Sequence, residues 1–330
     1  MRRLERLANS PQNTHLAPPR KRRTGKLRQA LEYFVVRFGV AAIGVLPRRA
    51  ARAVGAGIGS LIYRLLLRLR RVGEQNLALA FPQKPPAERS AILRGVYRSL
   101  GWQLAEFCKM ARLTPAQASQ FIRYEGLANY LAARDRGQGV LVLTGHLGAW
   151  ELSSFYHSLM GHPMGMVIRR LDNPRVDAFV NALRCRHGNR VLHKDDFARG
   201  LLTAMHRGET VGILMDTNMT PPQGVFVPFF GTEACTATAL ARIALKTTAA
   251  VLPGFLLWEP AERNGRGGYV LHFGPELTLP RTAEPEADIL AATALCTATI
   301  ESWIRRYPDQ WLWVHRRWKT RPDGEAKIYG

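Results

Sequence analysis

Short, almost wholly apolar runs alternate with helix-like segments through the second half of the chain, and this alternation most constrains the fold. Residues 140–144 (VLVLT), 164–169 (MGMVIR), 211–215 (VGILM), 251–258 (VLPGFLLW) and 269–273 (YVLHF) are continuous apolar stretches of strand length, with a shorter one at 190–192. None shows the in–out alternation of a strand with one wet face, so each is expected to be covered on both sides. Between them lie predicted helices over 149–160, 174–187, 195–206, 236–246 and 287–307, with Pro174 suited to a first helical turn. Upstream, 86–112 reads as helical, and Thr114-Pro115 as the cap and first turn of another short helix. The pattern predicts an α/β fold: a single domain with a mostly parallel sheet flanked by helices.

Such a sheet places its ligand site beyond the carboxyl ends of the strands. The residues just after VLVLT, MGMVIR and VGILM are therefore the ones that matter: Gly145 to Glu151, Arg169 and Arg170, and Asp216.

The chain has 330 residues, 46% of them hydrophobic and 22% charged, which excludes disorder throughout. The longest charge-free apolar stretches in the first seventy residues, 38–47 and 53–63, fall well short of the ~18 needed to span a bilayer. The net charge is +22, and residues 1–71, with 17 basic and 2 acidic side chains, carry +15 of it. That asymmetry points to an anionic membrane surface or a nucleic acid. Residues 1–28 read as a disordered basic arm. Residues 29–72, with two apolar segments punctuated by Arg37 and Arg64, read as membrane-associating helices lying in the bilayer interface. A buried helix of the core and a tilted span are the other readings of these segments. No nucleic-acid motif follows the arm, and its arginines are not interleaved with aromatic residues. The four cysteines are scattered without a CxxC pair, so neither a disulfide framework nor a metal site is expected.

His146 and Glu151 are five residues apart, about 140° around a continuous helix. They can meet only if the chain turns between them, and Gly145 and Gly148 supply that freedom. A carboxylate at the start of the helix could then hold one imidazole nitrogen and leave the other to take a proton from a hydroxyl. No G-x-S-x-G supplies an enzyme nucleophile, so the base would act on a substrate hydroxyl directly. The plainer reading is a satisfied loop histidine beside a carboxylate favoured by the helix dipole. Zinc is disfavoured, since the pair is not HExxH.

The octapeptide Thr144-Gly145-His146-Leu147-Gly148-Ala149-Trp150-Glu151 resembles the signature of the bacterial lipid A biosynthesis acyltransferases, the lauroyl/myristoyl transferase family of the HX4D/E lysophospholipid acyltransferase type. Four further blocks agree in order: Arg169-x-x-Asp172-Asn173-Pro174; Asp216 at a strand end; GVFVPFFG at 224–231; and QWLWVHRRWK at 310–319. The resemblance covers roughly residues 30–322. It departs after Asp216, where the family commonly has Gln and this chain has Thr217-Asn218.

The resemblance implies a glycerolipid-acyltransferase-like domain over 73–330. It implies acyl transfer from an acyl carrier protein thioester to a hydroxyl of a lipid A precursor, at the cytoplasmic face of the inner membrane. His146 and Glu151 are the implied catalytic residues. Arg169, Arg170, Asp216 and Arg316 are the candidate substrate contacts; Asp216 reads equally as a cap. No resident cofactor or metal is expected, the donor being a co-substrate. Expected partners are the carrier protein, anionic membrane lipid and the lipid acceptor. Acyl-CoA as donor and another glycolipid or phospholipid as acceptor stay open. A basic membrane- or nucleic-acid-binding non-enzyme is the alternative of a different class. The phenylalanines of 226–230 are expected in the core or in a hydrocarbon groove. Trp311, Trp313 and Trp318, interleaved with Arg316, Arg317 and Lys319, suit a membrane interface or an acidic carrier, or else a core edged by a solvated basic face.

Overall fold

The computed structural model describes residues 25–329, apart from 194–196, 266 and 283. The expected basic arm lies outside the described residues up to position 24. Its last residues belong to the first helix, α1 (Lys26–Val45).

One seven-stranded sheet forms the centre. Its spatial order is β1 (Ile122–Glu125), β9 (Gly268–Phe273), β8 (Ala250–Glu259), β2 (Val140–Thr144), β5 (Thr210–Leu214), β3 (Gly165–Ile168) and β4 (Arg190–His193). Every neighbouring pair is parallel except β8–β9. Both faces are covered, as the unbroken apolar strands require. Leu141, Leu143, Val211 and Val251 face a core shared with α9 (Phe197–His206), α10 (Ala239–Lys246) and α12 (Pro285–Arg306). Val140, Val142 and Leu252 face α6 (Leu127–Asp135) and α7 (Trp150–Leu159). The short strand β1 carries little sequence signal, and pairing with β9 makes it a strand.

One expectation changes here, and one left open is decided. The helix predicted over 236–246 begins only at Ala239. Residues up to Ala237 form β7 (Thr232–Ala237), the second strand of a hairpin with β6 (Gly224–Phe229). The GVFVPFFG block is thus the first strand and turn of that hairpin, with Phe229 and Phe230 buried in the core. The C-terminal tryptophans are not at a surface: Trp311, Trp313 and Trp318 are each at most 1% exposed. Three indoles removed from water act as the packing centre between the hairpin, α12 and the sheet.

The N-terminal helices pack in part against the body of the domain, as the core reading of these segments expects. α2 (Arg48–Leu65) packs along α4 (Pro86–Lys109), backbone on backbone. A Cβ on Gly55 would lie 2.0 Å from the Gly101 carbonyl, and one on Gly59 2.1 Å from that of Tyr97. The opposite sides are apolar and exposed: Leu31, Phe34, Val35 and Phe38 on α1, Leu61, Ile62 and Leu65 on α2. Part of the basic excess also turns inward. Arg48 pairs with buried Glu106 at 2.8 Å, and the Arg52 guanidinium sits 3.7 Å from the Trp258 ring centre. α2 and α3 (Leu67–Ala80) meet at an 89° bend. Among the described residues α12 alone is by itself long and apolar enough to cross a membrane, and it forms part of the core.

Candidate active site

The loop after β2 carries His146. Two glycines shape it for different reasons. Gly148 has φ +67°, and a Cβ there would meet the Leu256 carbonyl at 2.1 Å. Gly145 is needed for space, since a Cβ would stand 2.9 Å from the Asp216 carboxylate. The loop is held from the C-terminal segment as well: Leu312 N–H donates to the His146 carbonyl, and Gly148 N–H to that of Gln310.

The imidazole partner is Asp216, two residues beyond the end of β5. His146 Nδ1 lies 2.9 Å from Asp216 Oδ1, and the His146 backbone N–H donates to Oδ2 at 2.6 Å. Trp311 Nε1–H donates to the same Oδ2 at 2.7 Å. Burial would raise the Asp216 carboxyl, but the imidazole charge and these hydrogen bonds outweigh it and lower its pKa to about 2. Burial likewise opposes protonation of His146. The charge and hydrogen bond of Asp216, with the more distant charge of Glu151, nevertheless raise its pKa above the ordinary 6.5. The carboxylate fixes Nδ1 as the protonated nitrogen and leaves Nε2 as the acceptor.

The expected His146–Glu151 hydrogen bond is not what the fold builds. Glu151, in the first turn of α7, forms an ion pair with Arg184 at the end of α8 (Pro174–Arg184), where Arg184 Nε donates to Oε2 at 2.8 Å. The two groups wall a narrow apolar slot of about 60 Å³ on the α7 face, together with Trp150, whose ring stands 5.1 Å from that of His146. Glu151 therefore reaches the imidazole through its charge, and the orienting carboxylate comes from seventy residues downstream.

A larger cavity of about 810 Å³ opens on the opposite face of the sheet. Its apolar floor includes Ile213, Met215 and Leu240, and Arg169, Arg199 and Thr217 stand in its wall. Thr217, where the sequence departs from the family pattern, thus falls on the cavity wall. Asn218 is a clasp: its N–H donates to His315 Nε2 at 3.0 Å, and its amide joins Thr320.

The candidate substrate contacts separate accordingly. Arg169 lines the large cavity; Arg170 is exposed outside it. Asp216 is buried behind His146, its oxygens occupied by His146 and Trp311, and it lines neither cavity. Arg316 lies over the Tyr329 ring at 5.6 Å and lines neither cavity. The fully buried arginine is Arg317, which donates to the Cys235 carbonyl at 2.9 Å and to Thr236, tying down the β6–β7 hairpin. Asn173 caps α8 and also donates to Gln29 and Glu32 of α1. Arg184 and Trp311 acquire their site roles only by folding, because no local spacing links them to His146. Among the described residues no three His, Cys, Asp or Glu side chains converge as a metal site.

A family model described as bacterial lipid A biosynthesis acyltransferase matches residues 17–320. A lipid A biosynthesis acyltransferase of Haemophilus influenzae is 30% identical over 302 residues, covering 89% of this chain and 93% of the relative. The lipid A biosynthesis palmitoleoyltransferase of Escherichia coli K12 is 29% identical over 301 residues (90% and 95%). The lipid A biosynthesis lauroyltransferase of the same organism is 28% identical over 286 residues (86% and 90%).

Proposed function

The chain belongs to the bacterial lipid A biosynthesis acyltransferases, and on that premise we propose that it moves a fatty acyl chain from an acyl carrier protein thioester to a hydroxyl of a lipid A precursor, with His146 as general base. The observation that carries this reading is the Asp216–His146–Trp311 arrangement at the carboxyl ends of β2 and β5, with Trp150 in the lining of the small slot and Met215 and Thr217 in that of the large cavity. A base needs a neutral imidazole with one fixed tautomer, and Asp216 supplies that tautomer. His146 takes the proton of the acceptor hydroxyl at Nε2; the hydroxyl oxygen attacks the thioester carbonyl. Collapse of the adduct expels the carrier thiolate, which recovers the proton from the imidazolium. To the developing oxyanion we assign the Arg184 guanidinium, which Glu151 holds in the wall of the slot beside Trp150. The cavity of about 810 Å³ lies within the range of small-molecule sites, and its apolar floor with an arginine in the wall suits an amphiphile.

The exposed apolar sides of α1 and α2, beside the basic N-terminal region, suit attachment to an anionic bilayer. We place the catalytic domain at the cytoplasmic face of the inner membrane, where carrier protein and lipid meet. The test is purified protein with lauroyl or palmitoleoyl carrier protein and a lipid A precursor in mixed micelles, read by mass spectrometry. Expected is an acceptor heavier by one acyl group, with no gain for His146→Ala. An acceptor of unchanged mass, or equal gain with the variant, refutes the reading.

A further inference from the structure

A further cavity, of about 430 Å³, has Gln310 in its lining, the residue next to Trp311. Three arginines line it, Arg98 from α4, Arg263 after β8 and Arg306 at the end of α12, together with Trp102, Trp258 and Tyr307. The guanidiniums are braced on rings: Arg98 is 5.5 Å from the Trp102 centre, Arg263 4.7 Å from Tyr307 and Arg306 3.6 Å from Trp303. Behind them Arg52 of α2 is sandwiched against Trp102 and Trp258 at 4.0 and 3.7 Å. The lining holds one carboxylate, Asp309, 3.8 Å from Arg98. Guanidiniums that share one cavity lining carry like charge, and stacking fixes their planes without neutralising it. Such a cluster is completed by an anion able to accept several forked hydrogen bonds.

We propose that this cavity binds a phosphate monoester borne on a membrane lipid. A phosphomonoester carries close to two charges and three acceptor oxygens, which suits three arginines better than a single carboxylate does. The lipid is favoured as its source because α2 and α4, which carry Arg52, Arg98 and Trp102, expose apolar Val54, Leu61 and Leu104 elsewhere on their surfaces. A lipid could lay its chains on those helices with its head group in the cavity. The cavity also touches the support of the catalytic loop. Gln310, in its lining, clamps the Trp258 backbone through both side-chain atoms and accepts from Gly148 N–H; its neighbour Trp311 donates to Asp216. A phosphate held here would fix a lipid acceptor in register with His146. The inference rests on the proposed lipid acceptor only in that last respect.

The experiment is vesicle cosedimentation of the full chain, comparing phosphatidylcholine vesicles doped with phosphatidic acid, a phosphomonoester, and with phosphatidylglycerol, a diester. Expected is tighter binding to phosphatidic acid, competed by inorganic phosphate, with Arg263→Ala/Arg306→Ala weakening it roughly tenfold and leaving phosphatidylglycerol binding unchanged. Both side chains are exposed, and the competition on the unaltered protein needs no variant. Equal binding to the two lipids, or equal loss on both, reduces the cluster to general surface charge and overturns the proposal. So does a variant that keeps phosphatidic acid binding but loses affinity for phosphopantetheinylated carrier protein. No acyl transfer is read, so a phosphomonoester preference in a protein that acylates nothing would sustain this site while refuting the proposed reaction.

Discussion

Asp216 grips His146 at two atoms, the imidazole Nδ1 at 2.9 Å and the backbone N–H at 2.6 Å. The second contact makes the carboxylate part of the loop's folding as well as of its chemistry. A side chain that only paired with the imidazole could be replaced with loss of basicity alone. Here the loop itself is registered against the end of β5.

His146→Ala should lower acyl transfer by about 10²–10⁴-fold, the usual worth of a general base. The imidazole is partly exposed and makes one side-chain hydrogen bond, so folding should be retained. Single-turnover rates with purified protein measure this. A variant keeping more than about a tenth of the rate would remove His146 from the base role.

The pH profile follows from the raised His146 pKa. The base must be neutral, so activity should fall on the acid side with a midpoint above 6.5. Asp216→Asn removes the main charge holding the proton, so the midpoint should move to lower pH while the plateau rate drops through loss of the tautomer. An unmoved midpoint would show that the limb belongs to another group.

Stability should carry the same signature. His146, raised in the fold, contributes fully below 6.5 and loses that contribution as pH rises through its folded value. Asp216, lowered to about 2, contributes above its ordinary 3.8 and loses that contribution as pH falls toward 2. Both terms are therefore present between 3.8 and 6.5. The destabilisation of Asp216→Asn, ~1–3 kcal/mol, should peak in that window in denaturant titrations and shrink on either side. A pH-independent difference would contradict the charged pair.

Glu151 and Arg184 should behave as one unit. Glu151→Gln and Arg184→Gln are expected to cut the rate similarly, and the double variant little further, giving a coupling of about 1 kcal/mol or more in a double-mutant cycle. Additive effects would mean that Glu151 acts on the imidazole independently of Arg184. Trapped intermediates examined by intact-mass spectrometry should show no acyl adduct on Glu151.

Vesicle attachment should have two components. Salt should weaken it only in part, because apolar burial is not screened as charge is. Leu31→Ser/Phe34→Ser/Phe38→Ser, on the exposed side of α1, should release most of the remainder. Complete release of the unaltered protein by salt alone would show that these side chains do not enter the bilayer. The C-terminal tryptophans, being interior, are not expected to contribute.

The layered α/β fold and the position of His146 at a strand's carboxyl end were determined by the sequence itself. Continuous apolar strands such as VLVLT can exist only with both faces covered, and such a sheet presents its loops at the carboxyl ends of its strands. The ordered blocks around His146, Asp216 and the tryptophans likewise carried the family. The partners of those residues were decided only in three dimensions. Proximity in sequence suggested Glu151 for His146, but β2 and β5 lie side by side and bring Asp216 to the imidazole, while α8 brings Arg184 to Glu151. The same holds for the basic and aromatic residues. Composition left the basic residues of the N-terminal region and the three C-terminal tryptophans open to a place at a membrane surface. Packing put the indoles in the core, Arg48 on Glu106 and Arg52 between two rings. Periodicity reports which side of an element is buried; which charge or ring it is buried against depends on contacts between residues tens to hundreds of positions apart, and no local pattern encodes those.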